Sequence, residues 1–172
     1  DTLKIKKYRN RHPFVGLINA AFKDKKFQKH LGWCGFYDID YTKPFNITDV
    51  RDIDYLATLL SFTLKTRVYI LSTKNGCHLV SFRILNPREF RYWWDTCTLN
   101  MPSDYTFCDA SKSLNMLLKK AGLYNCLRIT PKGRNEIIYI KSIGREHGPA
   151  SSYHMSSYRH IIPLKKMPLR KM

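Results

Sequence analysis

Two aspartates stand two residues apart in Phe36-Tyr37-Asp38-Ile39-Asp40, inside an aromatic-rich run that reads as a β-strand. Side chains alternate along a strand, so both carboxylates project from one face, with Cβ atoms roughly 6–7 Å apart. Like charges at that spacing, flanked by aromatics, repel and raise one pKa unless a cation lies between them. A hard divalent ion with oxygen ligands suits the pair. Two such ions can activate an attacking oxygen and stabilise a leaving one. The plainer alternative is an exposed D-x-D on a strand edge, salt-bridged to nearby Lys and Arg.

A second group of chemically capable residues lies downstream, in Ser72-Thr73-Lys74-Asn75-Gly76-Cys77-His78-Leu79. A hydroxyl, a lysine, a glycine turn and a histidine surround one predicted hairpin. Lys74, the turn amides and His78 can all donate to phosphate oxygens, and Gly76 lets the backbone come close. Taken singly, the histidine reads as a satisfied core residue and the Lys-Asn-Gly turn as a solvated one. Their order after a D-x-D strand and a helix argues against both.

The elements that must position these residues follow from periodicity and punctuation. Phe14, Leu17, Ile18, Ala21 and Phe22 recur at helical spacing, which predicts an amphipathic helix from Pro13 to His30. Lys43-Pro44 breaks the aspartate strand. Thr48 then suits the N-cap of a helix with an Ile53, Leu56, Ala57, Leu60, Leu64 stripe. Arg67 to Leu71 and Cys77 to Ile84 flank the Asn-Gly turn as a hairpin. Pro87 opens a Trp-rich helix, and Asp109 to Ala121 reads as another helix closed by Gly122. The helical spacing of Tyr92, Trp93 and Trp94 favours core packing over stacking on bases. Strands over Cys126–Thr130 and Glu136–Lys141 are linked by Pro131-Lys132-Gly133. Helices interleaved with hairpins predict an α/β (α+β) sandwich with a mixed or antiparallel sheet over residues 1–150, followed by a loosely ordered basic tail, 151–172.

Charge narrows the function classes. Thirty Lys and Arg against 13 Asp and Glu give a net +17, more than solubility requires, and such a field attracts polyanions. Both ends are basic: Lys6, Lys7 and Arg9 at the start, Lys165 and Lys166 near the finish. Beyond Ala110 only Glu136 and Glu146 are acidic. With 44% apolar and 13% aromatic residues the chain is no disordered polymer. No apolar run is long enough for a membrane span, and the N-terminal stretch lacks a signal-peptide core. Five scattered cysteines without a CxxC pair fit buried thiols in a reducing cytoplasm; a zinc site from Cys97, Cys108 and a histidine is the weaker alternative.

Together, FYDID and STKNGCHL resemble the first two motifs of the archaeo-eukaryotic primase superfamily, which includes primase small subunits and primase-polymerases. The match covers Trp33 to Phe82 best. The resemblance implies an RRM-like sheet core and a two-metal nucleotidyltransferase that makes or extends primers on a DNA template in the replisome. It implies Mg²⁺ or Mn²⁺ on Asp38 and Asp40, with Ser72, Lys74 and His78 on the triphosphate. A third metal carboxylate is expected ahead of a strand resembling Leu127-Arg128-Ile129; Asp109 fits best, with Asp104, Asp95 or no third ligand as the alternatives. Arg128, Lys132 and Arg134 would contact triphosphate or template, or else form a solvated basic hairpin. The partners implied are template, primer, nucleoside triphosphates, and a helicase or accessory primase subunit. The chain is shorter than most members of that family and lacks their zinc-binding insertion, which puts unaided priming in doubt. The competing expectations are an inactive primase-like subunit that grips single strands through its basic ends, and a D-x-D nuclease.

Overall fold

The computed structural model describes residues 17–19, 21–24, 29–40, 51–73, 76–99, 126–129, 136–151, 155 and 158–168. In chain order these form β1 (Leu17–Asn19), β2 (Ala21–Asp24), β3 (Lys29–Asp40), α1 (Arg51–Leu64), β4 (Val68–Thr73), β5 (Gly76–Leu85), α2 (Pro87–Leu99), β6 (Cys126–Arg128) and β7 (Ile138–Ile143). A short 3-10 helix, Leu164–Lys166, follows.

Five strands make one sheet in the order β2-β3-β5-β4-β7, and every neighbouring pair is antiparallel. Because β3 and β4 both oppose β5, they run parallel to each other, joined by α1 with β5 inserted between them. This is a split β-α-β unit. The coarse expectation, helices flanking an antiparallel sheet in an α+β chain, therefore holds.

Strand alternation divides the sheet into two apolar layers. Tyr37, Ile39, Val68, Ile70, Cys77 and Leu79 face one side, where α1 contributes Ile53, Leu56, Ala57, Leu60 and Leu64, and α2 contributes Phe90, Trp93, Trp94 and Cys97. Each of these larger side chains contributes about 1.5–3 kcal/mol on full burial. Gly35 fixes where α2 sits: a Cβ there would lie 2.7 Å from the Trp93 ring, whose Nε1 donates to the Phe36 carbonyl at 3.3 Å. The tryptophans are core residues, as their spacing favoured.

The opposite face carries Cys34, Phe36, Tyr69, Leu71, Val80 and Phe82. Its cover is supplied by Leu127, Ile137, Tyr158, Ile162 and Met167, and Tyr158 and Ile162 are fully buried. The tail expected to be loosely ordered is thus, over 158–168, the lid on half of the core. Its Ser, Tyr and Lys content masked apolar residues spaced to meet the sheet.

Two further expectations change. The helix predicted from Pro13 to His30 is replaced, where described, by β1 and β2. The apolar spacing there also suits two short strands, and their partners decide the matter: β1 pairs with β6, and β2 with β3. The strands on either side of Pro131-Lys132-Gly133 do not pair with each other. β6 joins β1 in a two-stranded sheet, while β7 extends the main sheet beside β4. The helix expected over Asp109 to Ala121 lies outside the described residues.

Candidate active site

The two motifs meet in register. β3 and β5 place Asp38 opposite His78 and Asp40 opposite Gly76. Directly opposed residues of an antiparallel pair have Cβ atoms about 4.5–5.5 Å apart, close enough for side chains to touch. They do: His78 Nε2 lies 3.2 Å from Asp38 Oδ1. Both belong to the sheet face opposite the two helices, since His78 alternates with Cys77 and Leu79 and shares its parity with Val80 and Phe82.

The environment of the pair is asymmetric. The His78 side chain is 3% exposed, whereas that of Asp38 is 41% exposed. The imidazole is therefore a buried brace and the carboxylate its accessible partner. An imidazole N–H directed at Oδ1 orients the carboxylate, and a protonated ring would form an ion pair with it. The other ring nitrogen, Nδ1, is buried and has no hydrogen-bond partner among the described residues.

Ser72 does not join this pair. It sits opposite Cys77 on β5, a residue of the helix-covered layer, and its hydroxyl donates to the Thr73 carbonyl at 3.3 Å. The residue of β4 beside His78 is Leu71. The signal was present in the spacing: pairing Thr73 with Gly76 obliges Leu71, not Ser72, to oppose His78. Asp95 lies on α2, across the sheet from Asp38, which removes it from the candidates for a shared metal site. Arg128 is half-buried on β6, whose Leu127 packs against the face that bears Asp38. Lys165 and Lys166 are exposed in the 3-10 helix. Lys6, Lys7, Arg9, Lys74, Asp104, Asp109, Lys132 and Arg134 lie outside the described residues, as does Cys108 of the alternative zinc set. Among the described residues no three His, Cys, Asp or Glu side chains form a metal cluster.

The donor set nevertheless suits a hard divalent ion. Asp38 is a carboxylate exposed enough to leave an ion its water ligands, and Asp40 follows two residues along the same strand. Mg²⁺ is commonly held by one or two carboxylates plus water and substrate phosphate. Cys34, on this face, does not compete for it, since burial pushes its thiol well above its ordinary value.

Sequence reasoning missed one polar group altogether. Glu146 follows β7 and lies by Thr66 at the start of β4, 3.5 Å from its Oγ1. Burial, opposed in part by the Arg67 and Arg83 charges, pushes its carboxyl up to about 7. Only its isolation among basic residues hinted at it in the sequence. Comparison of the chain with protein-family models, with curated proteins and with solved structures gives no match.

Proposed function

We propose that this protein is a metal-dependent nucleotidyltransferase of the primase or primase-polymerase type, acting at the Asp38–His78 end of the sheet. The observation that carries the reading is the register of β3 and β5. Motifs separated by a helix and a strand are brought together so that Asp38 faces His78 and Asp40 faces Gly76. Local propensity does not dictate that alignment; a one-residue slip would send every side chain of one strand to the other face. The +17 charge supplies affinity for a polyanionic template. The split β-α-β core, with α1 and α2 on one face, is consistent with an RRM-like sheet, and on the other face the Asp38–His78 pair lies beside the apolar patch that Leu127, Tyr158, Ile162 and Met167 cover.

In this reading Asp38 and Asp40 hold Mg²⁺ or Mn²⁺, and Asp109 is the proposed third carboxylate. The metal would supply charge neutralisation at the triphosphate and activation of the attacking hydroxyl. This chain's own contribution is positional. His78 holds the Asp38 carboxylate in one orientation, and the buried layer behind it, Phe36 and Val80, keeps the two strands in register. Gly76, opposite Asp40 at the start of β5, lets the backbone come close to a phosphate there.

The test is the size of labelled strands after incubation with nucleoside triphosphates and Mg²⁺ or Mn²⁺. Lengthening that disappears in Asp38→Ala/Asp40→Ala supports the proposal. A bound but unaltered primer favours the non-catalytic strand-binding subunit, and shortening favours a nuclease.

A further inference from the structure

Three segments far apart in sequence converge at the start of β4. The Arg67 guanidinium ties two of them down: Nε donates to the Gly144 carbonyl at 3.2 Å and Nη1 to the Lys166 carbonyl at 2.7 Å. The Tyr69 hydroxyl donates to the same Lys166 carbonyl at 3.0 Å, and the His147 amide donates to the Lys65 carbonyl at 3.1 Å. Gly144 makes the close approach possible, with φ of 83° and Ser61 packed where a side chain would go. These bonds fix backbones and leave the side chains of Lys65, Arg145, Lys165 and Lys166 exposed.

Among the described residues the four cations have little to offset them. Within 65–67, 144–147 and 163–167 the sole acidic residue is Glu146. It is turned inward, and burial raises its carboxyl to about 7, so near neutral pH it carries only part of a charge. Lys141 on β7, by contrast, is paired with Asp54 of α1. Like charges clustered with so little counter-charge among the described residues repel, and their repulsion does not stabilise the fold. The cluster also has a direction. Tyr69, which holds Lys166, pairs with Val80, and Leu71 pairs with His78. Tyr69 and Leu71 share a face and lie roughly 7 Å apart along β4.

We infer that Lys65, Arg145, Lys165 and Lys166 form a rim that docks the phosphodiester backbone of nucleic acid as it runs from the Asp38–His78 end of the sheet. The inference rests on the proposed function for its polyanion, but it concerns binding alone and needs neither metal nor catalysis. Arg67 and Tyr69 are the positioning residues that hold the rim together.

Fluorescence anisotropy of the full chain tests it, with short labelled oligonucleotides, single-stranded and duplex, in buffer containing a chelator. Titrations run between about 50 and 200 mM salt. Two double variants probe the rim independently: Lys165→Gln/Lys166→Gln and Lys65→Asn/Arg145→Gln. Asparagine is used at residue 65 because Lys65 has φ of 49°, which asparagine tolerates. Arg88→Gln/Arg91→Gln, exposed on α2, removes the same charge elsewhere. Each rim double should lower the slope of log affinity against log salt by about 1.4 on single strands and weaken binding on the order of tenfold. The α2 double should stay within about twofold of wild type, and thermal unfolding should be unchanged in all three. Loss on the single strand alone identifies the template backbone as the occupant, and loss on duplex alone the paired product; either supports the rim. Wild-type affinity and slope in both rim doubles overturns it, as does an equal loss from the α2 double. If nucleotides are never incorporated but the rim doubles still lose binding, the rim stands and the nucleotidyltransferase reading falls; incorporation with unaltered rim binding gives the reverse.

Discussion

Replacing Glu146 by glutamine should stabilise the protein, and only above a definite pH. The carboxyl lies between Thr66 and the Arg67 and Arg83 charges, yet burial outweighs those charges and lifts its pKa from 4.5 to about 7. Below about pH 4.5 the group is protonated in both folded and unfolded chains, and it contributes no pH dependence. Between that pH and about 7 the unfolded chain releases a proton that the folded chain keeps, so stability falls as pH rises. Above about 7 the cost is complete. At roughly 1.4 kcal/mol per tenfold change in proton affinity, it amounts to about 3 kcal/mol, a large share of the 5–15 kcal/mol typical of a domain. Glutamine has nearly the shape of the protonated acid and never ionises. Wild type and Glu146→Gln should therefore unfold alike in urea near pH 4. By pH 8 their midpoints should separate by roughly 1–3 M, given m of about 1–3 kcal/mol/M. Parallel stability curves across that range would refute the reasoning. A glutamine variant less stable than wild type at pH 8 would do so more forcefully, because the ionised carboxylate would then be needed by Arg67 and Arg83.

Other parts of the account can be checked in the same way. Ile162→Ala removes a fully buried side chain from the lid on the site-bearing face and should cost about 2–5 kcal/mol in urea unfolding; a change within error would mean that the lid is not packed. Gly35→Ala forces a methyl against the Trp93 ring and should cost about 1–3 kcal/mol, with a change in tryptophan fluorescence; an unaffected midpoint would contradict that contact. Lys141→Ala breaks an exposed pair with Asp54 and should cost under about 1 kcal/mol, fading at high salt. A larger, salt-insensitive loss in chemical denaturation would show that the pair is not simply a surface one.

How much was legible in the sequence depended on the range of the deciding contacts. The Asn-Gly turn, the α1 stripe and the Pro87 start are local signals, and the hairpin, α1 and α2 stand where those signals put them. The D-x-D and G-x-H motifs named residues that the sheet then placed side by side. Residue parity in the hairpin separates Ser72 from His78 and puts Leu71 in its place. Other features were set by partners remote in the chain. β1 pairs with a strand that begins at Cys126, and nothing in Leu17-Ile18-Asn19 announces it, so a short apolar run passed for a helix. Tyr158, Ile162 and Met167 stand among serines and lysines, and their apolar contribution shows only against Phe36, Tyr69 and Phe82. Glu146 looked like one acid in a basic stretch, and its burial follows from how the chain turns after β7 past the start of β4.

The central claim, that Asp38 and His78 act as one unit in nucleotidyl transfer, is tested most directly by a double-mutant cycle on single-turnover incorporation. Wild type, Asp38→Asn, His78→Asn and the double variant are compared on one primed template with saturating triphosphate and Mn²⁺, after each is shown to fold. The account predicts that Asp38→Asn loses on the order of a hundredfold or more, and that adding His78→Asn to it costs little further, since the histidine acts through the carboxylate. Incorporation by Asp38→Asn at the wild-type rate would contradict it, as would a wild-type protein that holds the primed template and never extends it.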